Sequence, residues 1–186
     1  SAAKYASIWT RDGSPLKVWT EKQAKMLQGW LGQRNHSVKV RWAMRYGQPS
    51  IGSVVHDWDV EEVLVIPMYP QYAESSTKTA FEEALACIPA GVKTKVCMDF
   101  FDHEAFIMSQ VQNIQTFLSD FQPDHLLLSY HGLPEHHLSK LYPKHCHQDA
   151  GCCAKVKTDN RYCYRAQCFA TSRAISSRLK FPAAIS

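Results

Sequence analysis

His131 closes an apolar run, His125-Leu-Leu-Leu-Ser-Tyr130, and opens a turn, Gly132-Leu-Pro134. An imidazole at the mouth of a strand can accept a proton near neutral pH. The same nitrogen can ligate a transition metal. Two further stretches carry polar and aromatic side chains at strand ends: Arg45-Tyr46 after the strand-like run Val38–Met44, and Met68-Tyr69-Pro70-Gln71-Tyr72 after Glu62–Pro67. An aromatic surface, an arginine and a titratable base are what a ligand cleft needs. Five of the seven cysteines crowd into one segment: Cys146, Cys152, Cys153, Cys163 and Cys168. Nothing marks the chain as secreted, so clustered thiols point to metal rather than to disulfides. Four thiolates can hold a [2Fe–2S] cluster or a structural Zn²⁺. The other two, Cys87 and Cys97, fall in apolar segments and read as buried small hydrophobes.

The elements that must position these groups alternate. After a turn at Arg11–Pro15, Ala24, Leu27, Trp30 and Leu31 recur at helical spacing, with Thr20 as a cap. The strand-like Val38–Met44 ends in a Gly/Pro turn at residues 45–49. A helix capped by Ser50 is expected over Ile51–Trp58. Strands are expected at Glu62–Pro67, Thr94–Met98 and His125–Tyr130. Helices are expected through Phe81, Ala84 and Leu85, over His103–Leu118, and from about Arg165 to Leu179. This alternation predicts an α/β fold, a doubly wound parallel sheet with helices on both faces. In such sheets ligands bind beyond the carboxyl ends of the strands, so parallel strands would gather the three strand ends on one rim.

Composition narrows the class. A chain of 186 residues, 45% hydrophobic and 20% charged, is an ordinary globular protein rather than a disordered or membrane-spanning one. The net charge of +4 is spread along the sequence, and no nucleic-acid motif is present. A mild positive balance suits an anionic small molecule. No glycine fingerprint for a dinucleotide or a P-loop occurs. A soluble, cytoplasmic protein is expected.

Five stretches together resemble the ferrochelatase family: Tyr5–Leu16 (YASIWTRDGSPL), Ala43–Ile51 (AMRYGQPSI), Val63–Thr77 (VLVIPMYPQYAESST), Asp124–Pro134 (DHLLLSYHGLP) and Tyr164–Ile175 (YRAQCFATSRAI). The resemblance implies Fe²⁺ insertion into a porphyrin, with protoporphyrin IX as substrate and coproporphyrin not distinguished from it. It implies two similar doubly wound domains with the porphyrin between them. Residues 1–108 would be most of the first domain. Residues 109–186 would begin the second, with a cysteine-rich insertion at about 142–168. The family's N-terminal Gly-Thr-Pro loop and its C-terminal portion with a catalytic glutamate have no counterpart here. The chain therefore looks like a central portion with little turnover by itself.

Metallating a porphyrin requires a gripped and bent macrocycle, the loss of two ring N–H protons, and delivery of dehydrated Fe²⁺. The resemblance implies that His131 is the proton acceptor and metal-side group, aimed by Gly132 and Pro134. Tyr69, Tyr72 and Tyr130 would border the ring, with Tyr46 beside them and Met68 beneath it; core packing is the plain alternative. Arg45 would pair with a propionate, or else form a surface salt bridge. Ser75, Ser76 and Thr77 would bind a carboxylate at a helix N-terminus, or simply cap the helix. Some family members carry an internal [2Fe–2S] segment, which favours the cluster over zinc here. Four of the five clustered cysteines would bind it. Cys152 and Cys153, being adjacent, would give one ligand, with Cys153 preferred. His145 and His147 read as solvated neighbours. An apolar substrate makes peripheral membrane contact plausible. The rival readings are another tetrapyrrole chelatase, such as one loading cobalt, and a non-catalytic iron–sulfur or tetrapyrrole-binding module.

Overall fold

The computed structural model describes residues 4, 6–121, 123–142, 151–180 and 183–185. The chain is α/β. Its elements are α1 (Pro15–Gln33), α2 (Ile51–Val55), β1 (Glu62–Val65), a π-helical turn (Glu74–Lys78) leading into α3 (Thr79–Cys87), β2 (Lys93–Val96), α4 (Glu104–Leu118), β3 (Leu126–Leu128), α5 (Glu135–Leu141), a 3₁₀ turn (Thr158–Asn160), α6 (Tyr164–Leu179) and β4 (Ala183–Ile185). Two two-stranded sheets form, β1 with β2 and β3 with β4. The amides of Lys93 and Cys97 bond the carbonyls of Glu61 and Val65 at 2.9 Å each, so β1 and β2 advance together and are parallel. β3 and β4 are parallel as well, with Leu126 opposite Ala183.

The chain divides into two compact units: residues 1–63 with 83–93, and residues 64–82 with 94–186. In the first, α1 begins earlier than Thr20. Ser14 caps it by accepting from the Lys17 amide at 3.3 Å, and Pro15 stands at its first position. Gly13, at φ +120°, makes the turn before the cap that a side chain would strain. Thr20 sits inside the helix and donates to the Leu16 carbonyl. The expected strand at Val38–Met44 is not formed. The Gln28 side chain instead bonds this extended backbone, donating to the Val38 carbonyl at 2.9 Å and accepting from the Val40 amide at 2.7 Å. A single side chain satisfies two ladder groups, but a strand needs a neighbouring strand. Ser50 caps α2 as expected, and α2 stops at Val55, short of Trp58.

The second unit holds α4 and α6 side by side. Glu104 pairs with Arg178. Ile107 and Val111 pack on Ile175, flanked by Phe106, Ile114, Ala174 and Leu179. The first turn of α4 therefore meets the last turn of α6, and the helices run antiparallel. His103 caps α4 through its ring nitrogen. A second small core joins Leu138 of α5 to Cys163 and Ala166. The expected boundary at residues 108–109 falls inside α4. Cys87 and Cys97 are only half-buried: Cys87 is the last residue of α3 and Cys97 follows β2.

Candidate active site

The loop after β1 and the turn after β3 meet on one helix of the second unit. Three residues of α6, Gln167, Thr171 and Ser172, lie on one side of it at spacings of four and five, and none is more than 2% exposed. A buried polar side chain costs stability unless it is hydrogen-bonded, and all three are. Gln167 Oε1 accepts from the Tyr72 amide at 2.6 Å. Its Nε2 donates to the Arg161 carbonyl at 2.8 Å and to the Asp99 carboxylate at 3.3 Å. Thr171 Oγ1 accepts from Gln71 Nε2 at 3.0 Å and lies 2.8 Å from the Phe101 carbonyl. Ser172 Oγ is 2.8 Å from Tyr130 Oη. The chain beyond β1, β2 and β3 is thus tied to a single helix face. Asp99, its side chain 3% exposed, is neutralised by Arg161 at 2.8 Å.

His131 stands at the end of this arrangement, exposed to solvent. The residue before it is the anchored one. Tyr130 is half-buried, and burial raises its hydroxyl above the ordinary phenol range, with the Ser172 hydrogen bond opposing. Tyr164, one turn before Cys168 on the same helix side, is pushed up mainly by burial. The Cys168 thiol adds to that rise and the His131 backbone opposes it. Cys168 is itself raised to about 12, again chiefly by burial. A neutral tyrosine and a neutral thiol therefore back the histidine turn.

The other expected site residues are distributed as follows. Met68 and Tyr69 are exposed, at 50% and 37%. Tyr72 is 7% exposed and packs on Tyr162, ring centroids 4.9 Å apart, so its ring is enclosed in the interior. Burial raises its hydroxyl, as does the Glu74 carboxylate. Ser75, Ser76 and Thr77 are not caps: they lie within the π-helical turn, and Ala73 occupies the cap position without a side-chain bond. Thr77 is fully buried, and its hydroxyl finds no hydrogen-bond partner among the described residues. Arg45 and Tyr46 belong to the first unit. There the Arg45 guanidinium lies 4.6 Å from the Tyr46 ring centre and 3.7 Å from Glu83, and the strand expected to present it is absent. A cavity of about 240 Å³ lies behind Tyr130, lined by Pro70, Gln71, Gln110, Ser129 and Thr171 among others. Ligand pockets run to roughly 300–1,000 Å³, so this one is too small for a macrocycle.

In the cysteine-rich segment, Cys146, with His145 and His147, lies outside the described residues. Cys153, Cys163 and Cys168 are buried and Cys152 is half-buried. Asn160, 1% exposed, gathers the loop: it accepts from the Lys157 amide at 2.6 Å and donates to the carbonyls of Cys152 at 3.1 Å and Lys155 at 3.0 Å. Arg173 of α6 reaches the Cys153 carbonyl at 3.3 Å. Among the described residues no three His, Cys, Asp or Glu side chains converge as metal ligands. The described thiols alone do not make a cluster or zinc site.

Sequence reasoning missed Gln167, Thr171, Ser172, Asn160 and Arg161. Polar side chains in a helix or loop read as solvent-facing. The one available signal was the i, i+4, i+5 spacing of Gln167, Thr171 and Ser172 in a helix whose other residues show no clean apolar stripe.

The family model for ferrochelatase matches residues 1–186. Among similar curated proteins, the ferrochelatase of Pseudomonas entomophila is 40% identical over 192 aligned residues, covering 98% of this chain and 55% of the relative. That of Methylibium petroleiphilum is 42% identical over 153 residues, covering 78% and 42%. That of Dechloromonas aromatica is 44% identical over 156 residues, again covering 78% and 42%. The chain spans about half the length of the curated relatives it matches.

Proposed function

This chain belongs to the ferrochelatase family, and from that premise we propose that it serves insertion of Fe²⁺ into protoporphyrin IX, the step that forms protohaem. The observation that carries the reading is the exposed His131 on a turn whose preceding residue, Tyr130, is hydrogen-bonded to α6. Two pyrrole N–H protons leave as the metal enters, and the iron keeps its oxidation state. His131 takes these protons and, being exposed, passes them to solvent. Met68 and Tyr69 offer apolar and aromatic surface to the ring. Arg45 exchanges its Glu83 partner for a propionate, a carboxylate for a carboxylate. Ser75 and Ser76 face a second carboxylate from the π-helical turn, a motif frequent at functional sites, and the buried Thr77 joins them only if the turn opens on binding. In this reading residues 1–108 and 109–186 belong to the family's two successive domains. The protein works in the cytoplasm, with peripheral membrane contact for an apolar substrate. Of the described residues, no helix is long and apolar enough to cross a membrane.

A [2Fe–2S] cluster on four of the five clustered cysteines is the finer reading of the second site, with zinc as the alternative. Its support is the density of thiols between Cys146 and Cys168 and the loop that Asn160 gathers. Iron insertion moves no net electron, so a cluster there would clamp the loop or sense iron or oxidant. Anaerobic purification followed by iron, sulfide and zinc analysis tests it; zinc without sulfide reverses it.

The experiment for the main reading places these 186 residues in the matching segment of the Pseudomonas entomophila relative. Anaerobic Fe²⁺ insertion is followed as loss of porphyrin fluorescence. General-base loss costs about 100-fold or more, so His131→Ala is expected to slow insertion by at least that. Porphyrin bound without insertion would instead favour the binding-module reading.

A further inference from the structure

We infer that Gln167, Thr171 and Ser172 of α6 are positioning residues, which together hold the Tyr130–His131 turn in register with the Gln71–Tyr72 loop. The inference rests on the reading of His131 as the proton acceptor. Its basis is a set of bonds within one unit. Ser172 holds the Tyr130 hydroxyl at 2.8 Å. Thr171 receives Gln71 Nε2 at 3.0 Å. Gln167 receives the Tyr72 amide at 2.6 Å. Thr171 and Gln167 also bind the Phe101 carbonyl and the Asp99 carboxylate.

Three chain segments far apart in sequence thereby share one ruler, and the ruler is rigid. Regular helix geometry fixes the spacing of residues 167, 171 and 172. Apolar side chains at these positions would pack the helix without choosing a register. Directional hydrogen bonds in a buried site choose one. The distances matter because reacting groups must be held to within a fraction of an ångström, and a displacement of about 1 Å can cost roughly 100-fold in rate. The exposed His131 side chain takes its placement from its backbone, held on one side by the Tyr130 anchor and on the other by the Tyr164 hydroxyl of the same helix.

The test is NMR of the 186-residue chain labelled at histidine, with His131→Gln used to assign the His131 signal. Ser172→Ala is expected to move the His131 imidazole resonances. Ser172→Thr, which keeps a hydroxyl, is expected to restore them. Ser176→Ala is the control: Ser176 donates only to the Ser172 carbonyl of its own helix. It is expected to leave the signal in place. Should Ser172→Ala fail to fold, Tyr130→Phe removes the same bond from the strand side and takes its place. His131 resonances unmoved in both folded variants, or moved as far by Ser176→Ala, would overturn the inference. The two readings fail separately. If His131→Ala leaves iron insertion intact while Ser172→Ala still moves the His131 signal, the proton-acceptor reading falls and the positioning role stands.

Discussion

Cys168 shows how far burial has altered one side chain. Its thiol is raised from 9.0 to about 12, with loss of solvent as the main cause and the nearby Cys163 adding to it. The sign for stability follows directly. The folded state holds the thiol proton more tightly than the unfolded chain does, so this contribution is complete below about pH 9 and is lost as pH rises toward about 12. Tyr130 and Tyr164, both raised by burial, add to the same loss above pH 10. Denaturant melts of the metal-free chain at pH 7.5 and pH 10.5 should therefore show a weaker protein at the higher pH. Cys168→Ala should reduce that difference, and an unchanged difference would place the titration elsewhere. At this scale the sequence was readable where chemistry is local. His131 declares itself by its type and by the turn after it. Tyr72 does not: whether a tyrosine faces a ligand or Tyr162 depends on a residue 90 positions away.

At the scale of elements, the loop before α6 depends on Asn160. Its three hydrogen bonds, made from a buried side chain, hold together residues 152–157, of which Cys153 alone is fully buried. Asn160→Ala strands these backbone groups and should cost about 2 kcal/mol in a denaturant melt. It should also speed hydrogen exchange at the Lys157 amide; unchanged exchange would show that the loop holds without it. Elements with local signals were legible: Ser50 as a cap, β1 and α4 all lie close to their expected places. Those that depend on distant partners were not. Val38–Val40 have strand-like residues, but their backbone partner is the Gln28 side chain. Glu135–Leu141 has too few apolar residues for helical periodicity, and only packing of Leu138 on Cys163 and Ala166 explains it. The inward side of α6 was hard to read for the opposite reason, since half of its buried residues, Gln167, Thr171 and Ser172, are polar.

At the scale of the molecule, α1 presents an unusual surface. Leu16, Trp19, Met26, Leu27 and Trp30 recur on one side of the helix and are 41–74% exposed. Exposed apolar patches of this kind bind dyes and promote association. The chain should bind anilinonaphthalene sulfonate in its native state, and Met26→Lys should weaken that binding without lowering the melting temperature. Equal dye binding by the variant would place the patch elsewhere. α6 has the opposite character, and Gln167 gives the reason its sequence is constrained. One end of its amide must accept, from the Tyr72 amide, and the other must donate, to Asp99 and Arg161. A glutamate of the same size would set two anions face to face. A methionine would strand the Tyr72 amide and the Arg161 carbonyl, while Asp99 would keep Arg161. The position is keyed at both ends, an acceptor toward Tyr72 and a donor toward Asp99, so a replacement must carry both functions at this length to keep the loop and the strand end on one helix.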